Sequence, residues 1–199
     1  MNQIKMSNPD YEFAKYDEDF NHNYTINNYF NNTNYSEFIK TLCALTNAKS
    51  YLELGVSVGF TIFNVSKVVD KVVGVDIQDI RIFKTGEFHM TTTNDFFKNQ
   101  KDTFDIIFID ANHDYEAVKE DFDNSVKILN EYGIIILDDT DPLHQSLTHT
   151  TRCSNCYLMN DYIRTNYTDL DIIVLPILLK GMTLVTKKRN PRFMLNNLV

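Results

Sequence analysis

The sequence predicts an α/β sandwich in which a mostly parallel sheet lies between two layers of helices. Three observations carry this. Short apolar runs recur without the polar alternation of a half-exposed strand, at Ser50 to Leu54, Val72 to Val75, Phe104 to Ile109 and Ile134 to Leu137. Helical stretches separate these runs. Near-continuous apolar strands are buried on both faces, and their alternation with helices calls for parallel pairing through right-handed crossovers. The last two strand-like segments, Asp171 to Leu175 and Met182 to Thr186, stand close together about Pro176 and Gly181 and read as an antiparallel hairpin.

Residues 1–34 are rich in Asn, Tyr, Phe and Asp without a clear period, and read as an N-terminal arm or lid. Tyr35, Phe38, Ile39, Leu42 and Leu45 then recur at helical spacing, with Thr33, Asn34 or Ser36 available as cap. The stretch Tyr51 to Phe63 is the most informative of the chain: an apolar run closing in an acid, two glycines four apart, then a helix-like pattern. That order describes a strand, a tight turn and a helix start. Phe88 to Thr91 forms a short strand before Asp95. Tyr115 to Asn130 is the clearest helix, with Val118, Phe122, Val126 and Leu129 on one face. Asp110 is a candidate cap for it, and Asp138 or Asp139 for a turn before Pro142. The domain is expected over residues 35–189, with residues 190–199 as a tail.

Composition narrows the function classes. A net charge of −8 over 199 residues argues against nucleic acid, whose binding rests on Lys and Arg displacing counterions. No apolar stretch at the N-terminus suits a signal peptide, and no segment reaches the roughly 18 apolar residues of a membrane span. A cytoplasmic protein with no membrane partner is expected. Cys43, Cys153 and Cys156 fit a reducing compartment better than a disulfide framework.

Ligands of open α/β sheets bind beyond the carboxyl ends of the strands. Here those ends are acidic: Glu53, Asp76, Asp110, then Asp138 and Asp139. Gly55 and Gly59 lack side chains that would block a ligand and take positive φ at little cost. Asp76, at the end of the next strand, suits the two hydroxyls of a ribose. Several carboxylates on one rim repel one another and need protons, a cationic ligand or a metal ion for relief. Oxygen ligands from Asp suit a hard divalent cation such as Mg²⁺.

These residues resemble the class I S-adenosylmethionine-dependent methyltransferases over about Ser50 to Asp141. ELGVSVG is similar to the family's first motif, GVD carries Asp76 at its ribose position, and TTTNDFF resembles the segment bordering the adenine. FIDANHDYEAVKEDFDNSVKIL followed by IIILDDTDP looks most like the small-molecule and sugar O-methyltransferases (methyltransferase domain family 24-like). The resemblance implies a Rossmann-like three-layer sandwich with a seven-stranded sheet and a small-molecule acceptor, with homo-oligomerisation left open. It implies S-adenosylmethionine at Glu53, Gly55, Ser57, Gly59, Asp76, Ile77, Thr93 and Asp110. It further implies a Mg²⁺-type ion at Asp110, Asp138 and Asp139, with catalysis by His113, Asp110 and Asp139. The catechol-type relatives have a lysine base where this chain has His113, whose ordinary pKa lies near neutral. A metal-independent reaction based on His113, and a non-catalytic cofactor binder, remain as alternatives.

The segment after the Asp pair holds His144, His149, Cys153 and Cys156, four side chains that could bind a structural zinc, although the spacing is not that of a finger. With Arg152, the same segment is a candidate wall of the acceptor pocket. No Ser elbow points to a hydrolase, and the G-x-G-x-x-G of a dehydrogenase is missing.

Overall fold

The computed structural model describes residues 35–189; the expected arm, 1–34, and tail, 190–199, lie outside the described residues. Seven strands form one sheet: β1 (Ser50–Leu54), β2 (Lys71–Asp76), β3 (Glu87–Met90), β4 (Phe104–Ile109), β5 (Leu129–Asp138), β6 (Leu170–Leu175) and β7 (Met182–Lys187). Their order is β3-β2-β1-β4-β5-β7-β6. The first five are parallel, whereas β7 runs antiparallel to both β5 and β6. Chain order therefore reverses between β1 and β4, which opens a crevice at their carboxyl ends.

Helices α1 (Tyr35–Thr46) and α2 (Phe60–Val65) belong to one side of the sheet. There Ile39, Cys43 and Ile62 pack with Tyr51, Ile106, Phe108 and Ile136. Helices α3 (Thr93–Asn99), α4 (Tyr115–Ile128) and α5 (Met159–Asn166) belong to the other. Phe96, Phe122 and Ile163 from these helices pack with Leu52, Leu54, Ile107, Ile109 and Ile135. Alternate residues of one strand thus feed opposite layers, as the two-residue period of a strand requires. Burying a side chain such as Phe122 contributes about 2 kcal/mol relative to leaving it in water.

Several boundaries differ from the sequence reading. Ser36 lies buried inside α1 rather than capping it, and its hydroxyl accepts from Asn64 Nδ2 at 2.8 Å. Asp114, not Asp110, caps α4, accepting from the Glu116 amide at 3.1 Å. That helix stops at Ile128 because Leu129 already pairs with Phe104; regular pairing resumes only at Ile106 with Ile134. The register shifts across the intervening strand residues, and Asn130 Nδ2 donates to Asp105 Oδ1 at 2.7 Å. Two further elements, α3 and α5, lie in segments too short to show a helical period. None of the described helices is long and apolar enough to cross a membrane.

Candidate functional site

The turn from β1 to α2 is shaped by its glycines. Gly55 has φ +87° and Gly59 +82°, with Ser57 at +49° between them. A Cβ on Gly55 would stand 2.1 Å from the Asp110 carbonyl oxygen, so a larger residue there would force β1 and β4 apart. Asp76 fastens the turn from the end of β2. Its Oδ2 accepts from the amides of Val56 and Ser57, each at 2.9 Å, and its Oδ1 accepts from Gln78 at 3.1 Å. Each carboxylate oxygen has two lone pairs, so Oδ1 retains capacity for one more donor. The residue expected to hold a ribose therefore also builds the loop beneath it.

A cavity of about 630 Å³ opens at this crevice. Gly55, Ser57, Asp76 and Ile77 line one side, Thr91 to Asn94 a second, and Asp110 to His113 with Thr150 and Thr151 a third. The volume lies in the usual range for a cofactor or drug-sized ligand. Six residues expected around the cofactor thus meet at one place: Gly55, Ser57, Asp76, Ile77, Thr93 and Asp110. Gly59 does not line the cavity; it is the N-cap residue of α2.

Glu53 does not line it either. It is 2% exposed and accepts from the Tyr51 hydroxyl at 2.7 Å. Burial holds its carboxyl well above the ordinary range; the Tyr51 hydrogen bond opposes that rise and the charges of Asp110 and Asp76 add to it. Glu53 thus lies buried beneath the loop rather than on the expected rim. Asp121 from α4 lines the cavity instead. It is 2% exposed, and burial pushes its carboxyl up to about 6 despite a hydrogen bond with Thr93.

The second cluster stands at the ends of β4 and β5. Asp139 follows β5 at φ +61° and its side chain is wholly buried. Its Oδ2 lies 3.1 Å from His113 Nδ1, and its Oδ1 lies 3.2 Å from Lys180 Nζ. His113 Nε2 lies 3.5 Å from Asp110 Oδ1, while Nδ1 also meets the Arg152 carbonyl. The other oxygen of Asp110 accepts from the Tyr35 hydroxyl at 3.4 Å. Burial disfavours charge on His113, but the hydrogen bond it donates to Asp110 and the charges of Asp139 and Asp110 outweigh it and bring the pKa to about 9. His113 is thus a cation at neutral pH, with acceptors at both ring nitrogens. Burial raises the Asp139 carboxyl, a rise that Lys180 and His113 oppose. Asp138 is pushed well up by burial and by the charges of Asp110 and Asp139.

The expected divalent site does not fit this arrangement. A hard cation needs several free carboxylate oxygens pointing at one spot. Asp139, however, faces two protein cations, and burial favours the protonated form of Asp138. Among the described residues no group of three or more His, Cys, Asp or Glu is placed to hold a metal. The sequence reading missed Lys180, which stands 41 residues from Asp139.

The zinc candidates do not converge either. His144 and His149 turn onto Ser146 and Thr151, each with its Nδ1 accepting from that residue's amide. Cys153 and Cys156 are buried, and loss of water pushes the Cys153 thiol up to about 12. Behind Asp139, a buried network holds the strand end: Asn160 Nδ2 donates to the Thr140 carbonyl at 2.8 Å and the Thr183 hydroxyl donates to Asn160 Oδ1 at 2.7 Å.

Residues 52–140 match a family described as a methyltransferase domain. No curated protein matches the chain. Among solved structures, an O-methyltransferase from Bacillus cereus in complex with SAH is similar at 16% identity and TM-score 0.65, over 93% of each chain. The O-methyltransferase TomG from Streptomyces achromogenes, in complex with SAM, is similar at 16% identity and TM-score 0.60, over 77% of this chain and 79% of its own. An SAH-bound methyltransferase from Podospora anserina is similar at 16% identity and TM-score 0.60, over 77% and 78%. Likeness at such identities speaks to the fold, and the strand order described above agrees with it.

Proposed function

We propose that this chain, a class I S-adenosylmethionine-dependent methyltransferase by its matched domain and its fold, methylates a hydroxyl of a small acceptor such as a sugar or glycosylated metabolite. One observation carries the reading. The glycine loop with Asp76 and the cluster of Asp110 and His113 face a single cavity of about 630 Å³, so donor and acceptor can meet there. The wall next to His113 is Asn112, Thr150 and Thr151, and the described lining holds no Phe, Tyr or Trp. Such a wall hydrogen-bonds hydroxyls better than it stacks on a flat ring, which favours a sugar over a catechol.

Bound S-adenosylmethionine supplies a methyl group activated by a positive sulfonium. The residues present fit it: Asp76 Oδ1 can take a ribose hydroxyl, Thr93 and Asn94 would border the base, and Gly55 leaves the backbone open to the ligand. The main contribution of the protein is to hold the acceptor oxygen in line with that methyl. His113, already protonated, is poorly suited to act as the base. Asp110 is the better acceptor for the hydroxyl proton, since its side chain is 20% exposed and reaches the cavity. His113 then orients Asp110 and stabilises its charge until the proton arrives.

Calorimetric titration of the purified chain with S-adenosylmethionine tests the donor, and the reading ends if no binding is seen. The acceptor is sought by incubating the chain with methyl-labelled S-adenosylmethionine and fractions of hydroxylated metabolites. Label should pass to a sugar-bearing fraction with the native chain, and at least about 100-fold more slowly with Asp110→Asn.

A further inference from the structure

The hairpin between β6 and β7 is shaped unusually at its tip. Leu178 and Leu179 have φ +57° and +68°, and Gly181 has +72°. Left-handed backbone is costly for a leucine, so two in succession point to a turn that the surroundings over-determine. The tip is fastened to the segment following Asp139. The Asp141 amide donates to the Lys180 carbonyl at 2.9 Å, and the Leu143 amide to the Leu179 carbonyl at 2.8 Å. A Cβ on Gly181 would stand 2.3 Å from Asp141 Cβ, so only glycine lets the two segments lie so close.

The strained tip delivers one side chain. Lys180 Nζ reaches both oxygens of Asp139, at 3.2 and 3.4 Å, while the lysine side chain stays 30% exposed. Its ammonium also feels the charges of Asp138 and Asp110, so it sits in the field of all three acids. The three acids and the one ammonium come from the ends of β4 and β5 and from the β6–β7 turn.

We propose that Lys180 is the built-in cation of the acceptor site, its ammonium held on both oxygens of Asp139 that a divalent ion would otherwise need. The chain is then indifferent to divalent metal, and Lys180 positions Asp139 and, through His113, Asp110. The inference rests on reading this rim as the acceptor side of a methyltransferase.

Titrating the full chain with Mn²⁺, and following the signal of free ion by electron paramagnetic resonance, tests it without any acceptor. The native chain should leave Mn²⁺ free. Lys180→Met should gain a single Mn²⁺ site at least about 10-fold tighter than anything in the native chain, the gain being lost on adding Asp139→Asn. Lys180→Arg, which keeps the charge, should gain none. Stoichiometric Mn²⁺ binding by the native chain that disappears in Asp139→Asn would overturn the proposal. So would a folded Lys180→Met chain that gains no site. If Lys180→Met does not fold by circular dichroism, Lys180→Gln is read by the same outcomes. SAH calorimetry is run in parallel. Loss of that signal in the native chain would take down the methyltransferase reading and leave the Mn²⁺ result standing.

Discussion

Asp76 closes the glycine loop through its Oδ2, and in the proposed function its Oδ1 takes a ribose hydroxyl as a second task. Asp76→Ala should therefore weaken SAH binding more than one lost contact implies, by about 100-fold or more, because each hydrogen bond to a charged group is worth about 1.5–3 kcal/mol. Calorimetry gives the number, and a loss under about threefold would mean the carboxylate is only scaffold. Asp121 supplies a pH signature. Its folded pKa stands near 6, above the ordinary 3.8, so the folded chain holds this proton more tightly than the unfolded one. The contribution of this group is therefore most favourable below about pH 4 and declines as pH rises through about 6, by up to about 3 kcal/mol. Urea melts of the native chain and Asp121→Asn between about pH 4 and 7 isolate it: the stability of the native chain relative to the variant should fall as pH rises. A constant difference would place Asp121 in a more watery setting than its 2% exposure indicates.

At the scale of elements, the proposed acceptor side depends on pieces that do not touch it. Helix α5 contributes Asn160, which bridges Thr140 beside Asp139 to Thr183 of β7. Asn160→Ala leaves the Thr140 carbonyl without its side-chain partner and the Thr183 hydroxyl without its Asn160 acceptor. A cost of about 1–3 kcal/mol is expected in thermal or urea melts. Because the network fixes the turn at Asp139, the same variant should slow the proposed methyl transfer while leaving SAH affinity within about twofold, since most residues proposed to hold the cofactor lie in the turn after β1, at the end of β2 and at the start of α3. Equal losses in both would show that the two halves of the cavity move together. The antiparallel β7 is central here: its pairing of Met182 with Asp138 fixes the height at which the preceding turn meets Asp139.

Over the whole molecule, one sheet carries both halves of the cavity, so a ligand that bridges β1, β2 and β4 should stabilise all of it. SAH at about 100 times its dissociation constant should add about 2.7 kcal/mol and raise the melting temperature by roughly 5–10 °C in one transition. An unchanged melt would argue against binding at this crevice. Much of this architecture was legible beforehand. Continuous apolar runs identified β1, β2, β4 and the second half of β5, and the acids at strand ends mark the rim, because burial and strand ends leave local patterns. Helix α5, the early start of β5 at Leu129 and the N-cap at Asp114 were not legible. They are decided by pairing with distant strands or by choices among neighbouring polar residues that no short period records. The sequence by itself determined the alternation of strands with helices, the glycine loop with its acid, and the carboxylates at the strand ends. Only the tertiary structure decided their charge states and partners: Glu53 buried under the loop, Asp121 turned into the cavity, His113 held as a cation, Lys180 carried onto Asp139 from 41 residues away. The reason is physical, since desolvation and Coulomb interaction depend on distance in space, and antiparallel pairing of β5 with β7 sets that distance without a mark in the local sequence.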